Sequence, residues 1–227
     1  MSAAARWALV KQTILSSVML AIMLTVFCVS AGSYRVQRLW LFAGVAFIYF
    51  LGSNVALYRL NPELLIQRLK VRRRGSKTWD EVLVRASNLS AMILVPAVSG
   101  LDVGRYGWSS LGAPFLVAGL VLLVFSSVLI NWAMAVNPFF EPTVRIQDDR
   151  EHRVVSSGPY AFVRHPGYLS GILWITSIPL ILGSLYGLLP VAFFIRTYLE
   201  DRTLKEELDG YREYSAKVRY RLFPGVW

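Results

Sequence analysis

Gly158-Pro159-Tyr160-Ala161-Phe162-Val163-Arg164-His165-Pro166-Gly167-Tyr168 sets turn formers, an arginine, a histidine and two tyrosines between two long apolar regions. The chain has two histidines, His152 and His165, and both lie in or just before this stretch. On either side, windows of about 20 residues are almost free of charge, the length that crosses a hydrocarbon core of about 30 Å. A polar knot at the mouth of a membrane helix is costly unless it binds something. The reading is therefore an all-α, multi-pass integral membrane helical bundle of five to six spans, with a C-terminal cytoplasmic amphipathic helix.

Composition agrees with this. Of 227 residues, 55% are hydrophobic and 17% charged, with a mean hydropathy of +0.48. The net charge of +10 belongs to loops that face anionic lipid. Without basic residues interleaved with aromatics, nucleic acid is excluded as a partner. Cys28 is the sole cysteine and reads as a packing residue inside the first apolar run. One cysteine and two histidines give no zinc set, so no metal is expected. No cleavage site follows the first apolar run, which reads as a span and not a signal peptide.

Working outward, spans are predicted at residues 10–31, 39–58, 82–98, 114–136, 168–182 and 188–199, with Pro179 and Pro190 as kinks. Asn61 and Pro62 start a helix as N-cap and first helical residue. Residues 63–74 read as an amphipathic helix on the membrane surface. Arg85 and Asn88 either snorkel or line a cavity. Residues 100–112 form a loop, 141–157 a polar connection, and 200–227 a charged amphipathic helix with a short tail. Residues 1–140 supply membrane helices and 141–227 the cofactor- and substrate-binding half of one domain. The basic loops share one side, which the positive-inside rule makes cytoplasmic, with both termini there.

Proline after His165 places that histidine at the mouth of the fifth helix, beside unsatisfied backbone N–H groups that favour an anion. Tyr168 shares its first turn, and Tyr160 is presented by a Gly-Pro turn. The other reading of these residue types is an interface belt of Tyr and Arg. Further on, Arg202 and Glu206 share a helix face at i,i+4 spacing. They are either a solvated pair or a guanidinium and a carboxylate aimed at a ligand.

Taken together these runs carry a resemblance. His152-Arg153-Val154-Val155, Gly158-Pro159-Tyr160, Arg164-His165-Pro166-Gly167-Tyr168, Asp201-Arg202-Thr203-Leu204-Lys205-Glu206-Glu207, Tyr211, Tyr214 and Arg219-Tyr220-Arg221-Leu222-Phe223-Pro224 resemble the isoprenylcysteine carboxyl methyltransferase family. They are similar also to phospholipid N-methyltransferases. The likeness covers about the C-terminal 90 residues, and it implies S-adenosyl-L-methionine as methyl donor. By that likeness His152, Arg153, Val154, Val155, Tyr160, His165, Pro166, Gly167 and Tyr168 hold the cofactor, and Gln147 falls on a glutamine of its pocket. Glu206 falls on a cofactor-contacting glutamate. Arg202 falls on the arginine that faces the substrate carboxylate, as substrate-binding and catalytic residue. Gly167 stands where the family has Ser or similar, and Leu204-Lys205 interrupts its glutamate-rich run.

The implied activity is methyl transfer to the carboxylate of a prenylated cysteine or similar lipophilic acid. The acceptor enters from the bilayer and the donor from water. The implied membrane is the endoplasmic reticulum in a eukaryote or the inner membrane in a bacterium, with the site facing the cytoplasm. Such a displacement needs positioning more than a general base. The other readings are a phospholipid N-methyltransferase, an NADPH-dependent sterol-type reductase, which shares an Arg-His-Pro-aromatic element, and a non-catalytic membrane protein. Oligomeric state is silent in the sequence.

Overall fold

The computed structural model describes residues 2–70, 75–187 and 191–227, the side chains of 191–193 excepted. Four of its helices are long and apolar enough to cross a membrane: Ala3–Ala31, Gln37–Leu60, Thr78–Tyr106 and Ala113–Val136. Pro166–Leu182 is a shorter apolar helix of 17 residues, at the lower limit of about 17 residues for a span. The described residues contain no strand. The chain is an integral membrane helical bundle.

Helix α1 (Ala3–Ala31) begins earlier than the expected span because Ser2 caps it, accepting the Ala5 N–H. It runs to Gly32, whose φ of 68° ends it in a left-handed cap. Helix α2 (Gln37–Leu60) returns and ends at Asn61, which caps α3 (Pro62–Arg68) as expected, its side chain accepting the Leu64 N–H. The surface-helix expectation for residues 63–74 is corrected in part. Leu64 and Leu65 are fully buried, packed with Ala8, Leu57 and Met134 inside the protein and not against lipid. Arg68 donates to the Phe140 carbonyl. Residues 71–74, with the rest of that basic run, lie outside the described residues.

The third span departs most from expectation. It is continuous over Thr78–Tyr106. It comprises α4 (Thr78–Leu89), a π-helical stretch at Ser90–Leu94, α5 (Val95–Gly100) and a second π-helical stretch at Leu101–Tyr106. The expected loop at 100–112 therefore begins only at Gly107. Its glycines mark helix contacts and not a turn. A Cβ on Gly100 would lie 2.6 Å from the Phe27 carbonyl oxygen, and one on Gly104 2.3 Å from the Ala31 Cβ. Two small residues four apart let the span lie directly on α1, the usual device for close helix packing in lipid. Asp102, fully buried, closes this end of the bundle. It accepts from Ser109 N–H (2.7 Å), Ser109 Oγ (2.5 Å) and Ser184 Oγ (2.6 Å).

Helices α6 (Ala113–Val136) and α7 (Pro166–Leu182) pack antiparallel along their whole length. Ser126 Oγ donates to the Ser170 carbonyl and Ser170 Oγ to the Ser126 carbonyl, at 3.0 and 2.9 Å. Hydroxyls paired in this way join two helices without leaving a polar group bare in the membrane. Phe27, Phe42, Met23 and Ile178 fill the core between α1, α2 and α7, and Cys28 packs at its edge.

Residues 188–190, where the sixth span and the Pro190 kink were expected to begin, lie outside the described residues. From Val191 one helix, α8 (Val191–Glu207), runs through the expected boundary at residue 199. It stops before Gly210, at φ 77°. A separate helix α9 (Tyr211–Lys217) and a compact tail follow. The single C-terminal helix expected over 200–227 is thus two, broken at the glycine.

The close approach of span three to α1 predicts that Gly104→Leu sharply lowers the melting temperature in detergent. Gly52→Leu, at a position with nothing within 4 Å of an added Cβ, leaves it near wild type. The measurement is a thermal melt of both variants.

Candidate functional site

A cavity of about 520 Å³ lies where the polar connection after α6 meets the ends of α7 and α8. It falls within the range of about 300–1,000 Å³ typical of small-molecule sites. One part is polar, formed by the connection and the helix mouths. The other runs between the spans, where Gln12, Tyr49, Phe50, Asn54 and Ile130 of α1, α2 and α6 line it. Asn88 also lines it, which decides between the two readings of that residue.

The connection is held by its own side chains. Asn137 accepts the Phe139 N–H and donates to the Tyr160 hydroxyl at 2.9 Å. Gln147, almost fully buried, donates to the Phe139 carbonyl at 2.8 Å and accepts from Arg150 Nη1 at 2.9 Å. The His152 ring lies against Phe139, centroids 4.6 Å apart. Arg145 forks onto Glu141 at 2.9 and 3.1 Å. Burial first, and then the nearby Arg145 charge, lowers the pKa of His152 below its ordinary value.

At the start of α7 the chain turns on Arg164 and His165. The Arg164 N–H donates to the Tyr220 carbonyl and the His165 N–H to that of Arg221, each at 3.0 Å. Arg164 Nε and Nη2 fork onto Asp201 at 2.7 and 3.1 Å, and its Nη1 donates to the carbonyls of Val218 and Arg219. Asp201 is 1% exposed. It also receives Arg221 Nε (2.9 Å), Lys205 Nζ (3.1 Å) and the Tyr211 hydroxyl (3.1 Å), and lies 3.4 Å from His165 Nε2. Burial alone would raise its pKa, but the hydrogen bonds from His165 and Arg164 outweigh burial and hold the carboxyl far below the usual carboxylate range. The Tyr214 hydroxyl donates to the Tyr160 carbonyl at 2.6 Å, joining α9 to the turn before α7. The two polar patches, one before α7 and one on α8, do meet, and they meet on Asp201.

All nine residues from His152 to Tyr168 that were expected to contact a cofactor line the cavity, and Gln147 does too. Arg202 and Glu206 do not, and this is a correction. Both are exposed, paired to each other at 2.9 Å, and neither lines the cavity. Their i,i+4 pair is real but faces outward. Arg196, Glu200, Leu204 and Leu208 line the cavity at four-residue intervals. Arg202 follows Glu200 by two residues, roughly 200° around the helix.

On α8 the guanidinium and carboxylate that line the cavity are therefore Arg196 and Glu200, beside Arg68, Glu141, Arg145, Arg153 and Arg164 from other elements. The Tyr168 hydroxyl donates to Glu200, and the Arg196 guanidinium lies 4.8 Å from the Tyr168 ring centroid. A signal was present, since Arg196 falls inside the apolar run read as the sixth span. An ionisable residue at that depth marks a site by default.

Residues 119–209, which hold most of this constellation, match the isoprenylcysteine carboxyl methyltransferase (ICMT) family. Over this region, about two fifths of its length, the chain is similar to that family. It is 29% identical over 110 residues to the human protein named protein-S-isoprenylcysteine O-methyltransferase, which covers 45% of this chain and 39% of the relative. It is 28% identical over 86 residues to the Schizosaccharomyces pombe protein of the same name, covering 35% and 36%. The rat protein of that name is 30% identical over 114 residues, covering 44% and 38%. The matched stretch thus spans about two fifths of the length of these curated relatives. The ICMT match contains Gln147, the His152–Tyr168 cluster, Arg196 and Glu200. It leaves out α1, α2 and α4, whose residues complete the cavity wall.

Two outcomes follow. Asp201→Asn leaves buried cations without their partner, and the expected loss is about 3–5 kcal/mol, read as a lower melting temperature. His152, lowered on folding, contributes stability that is full above its unfolded value of about 6.5 and fades as pH falls below it. Melts between about pH 7 and 5 should show a decline that is shallower in His152→Phe.

Proposed function

We propose that the chain is a membrane methyltransferase. In this reading it transfers a methyl group from S-adenosyl-L-methionine to the carboxylate of a prenylated cysteine or a similar lipophilic acid. The observation that carries the reading is one cavity lined both by the polar connection with the ends of α7 and α8 and by residues between the spans, with Arg196 and Glu200 on its wall. One substrate of each character has a place there.

The residues fit the donor. It combines an adenine, a carboxylate, an ammonium and a sulfonium, and when bound it supplies a methyl group on positively charged sulfur. The Glu200 carboxylate suits a cationic group. The α7 N-terminus at Pro166 and Gly167 carries positive partial charge suited to a carboxylate. Val154, Val155, Leu204 and Leu208 give an apolar wall for a flat base. Glu206 has no part in this assignment, and Glu200 replaces it.

Arg196 takes the place that the resemblance gave to Arg202. Its guanidinium pairs with the acceptor carboxylate and holds one oxygen toward the methyl carbon. When bound, the donor would supply its sulfonium methyl group to that oxygen, the carbon–sulfur electron pair staying on sulfur. No proton moves, so His165 need not act as a base. It is engaged with Asp201 and Tyr211. The product ester is neutral, loses its pairing with Arg196 and returns to the bilayer. The basic loops support a cytoplasmic orientation of the polar part.

The test is transfer of a labelled methyl group by the full chain to a prenylcysteine analogue, a phosphatidylethanolamine and a lipophilic thiol. The expected result is transfer to the first alone. Arg196→Lys, which keeps the charge and loses the fork, should lower kcat/KM about 10²-fold, while Arg202→Gln stays within about threefold. Transfer to the lipid amine alone would replace the acceptor assignment, and no transfer to any of the three would overturn the reading.

A further inference from the structure

Asp80 opens α4, far from the residues that carry the family likeness, and it is completely buried. Its Oδ1 receives Arg196 Nε at 2.6 Å and its Oδ2 receives Arg196 Nη2 at 3.2 Å. Oδ2 also accepts the Val144 N–H at 2.6 Å, which fixes the carboxylate itself. Arg196 Nη2 makes a further bond to the Pro142 carbonyl at 2.6 Å. With Nε and Nη2 committed and Cζ over the Tyr168 ring at 4.8 Å, rotation of the guanidinium is stopped. Among the described residues nothing accepts from its Nη1.

Fastening α4 to its neighbours does not account for this arrangement. Lys77 already pairs with Glu207 at 2.6 Å, and the Ser76 and Thr143 hydroxyls bond at 3.0 Å. These surface and loop contacts join the same segments without burying charge. A buried ion pair is seldom a gain in stability over an apolar pair of the same volume. What the fork supplies is a guanidinium with one edge left over and no freedom to turn.

We infer that Asp80 is a positioning residue, whose carboxylate holds Arg196 so that the Nη1 edge meets the acceptor carboxylate. The inference rests on the proposed reading of Arg196 as the acceptor-facing cation. It carries a particular kinetic signature. Without Asp80 the guanidinium keeps its charge and loses its direction. Attraction for an acidic acceptor persists or grows, while the aligned geometry is lost, and misplacement by about 1 Å can cost about 10²-fold in rate.

The experiment is steady-state methyl transfer by full-length Asp80→Asn, Asp80→Glu and Arg196→Lys in detergent, with rates scaled to the folded fraction from thermal melts. Asp80→Asn should lower kcat about 10²-fold with the acceptor KM unchanged or lower, and Asp80→Glu should recover part of kcat. Arg196→Lys should raise KM as well. If Asp80→Asn does not fold, Asp80→Glu alone decides: a kcat at least about tenfold below wild type at unchanged KM supports the inference. A kcat less than about tenfold below wild type in Asp80→Asn, or in Asp80→Glu where Asp80→Asn does not fold, overturns it and leaves the acceptor reading intact. If the wild type methylates only a neutral or basic acceptor, the reading of Arg196 falls and this inference with it.

Discussion

Asp201 holds the C-terminal part of the molecule together. One buried carboxylate takes a two-point fork from Arg164, single contacts from Arg221 and Lys205, and a hydroxyl from Tyr211, with His165 beside it. These groups come from the turn before α7, from α8, from α9 and from the tail. None of those short elements could hold its place by apolar burial alone. Desolvating so many charges is costly, and the cost is met only because each is closely matched. A rigid frame results, and the cavity is the space it leaves open.

Within that space, position decides chemistry. Arg164 and Arg196 are both buried arginines, and both fork onto an aspartate. Arg164 has no edge left, since its Nη1 is taken by two backbone carbonyls. It is structure. Arg196 sits four residues from Glu200, over the Tyr168 ring, with its outer nitrogen uncommitted among the described residues. The interhelical wall from α1, α2 and α6 gives the cavity its second character, and the α1 and α2 part of that wall lies outside the family match. A protein can therefore share the polar apparatus with its relatives and differ in the rest of the cavity wall.

Much of this was legible in the sequence. Apolar run lengths gave the membrane helices, Asn61 and Pro62 gave α3, and the histidine-bearing stretch gave the place of the cavity. The errors have physical causes. Residues 100–112 read as a loop, whereas in lipid small residues such as Gly100 and Gly104 are contact points between helices. Residues 63–68 were put on the membrane surface because periodicity cannot say which side of an apolar face holds protein. Arg202 and Glu206 rest on the family likeness, and Arg196 and Glu200 have the same i,i+4 spacing. Only the rotation of α8 against the cavity separates them. Asp80 left no local trace, since its partner lies 116 positions away.

The carbonyls that saturate Arg164 belong to Val218 and Arg219, more than fifty positions later in the chain. While the protein is being translated, the preceding helices can leave the ribosome and enter the bilayer before those carbonyls exist. Through that interval Arg164 and Asp201 have no complete set of partners, and the pocket they frame is not yet a pocket. Insertion and completion of the pocket are thus separate events in the life of the chain. A nascent chain halted between them would sit in the membrane with the pocket still unframed.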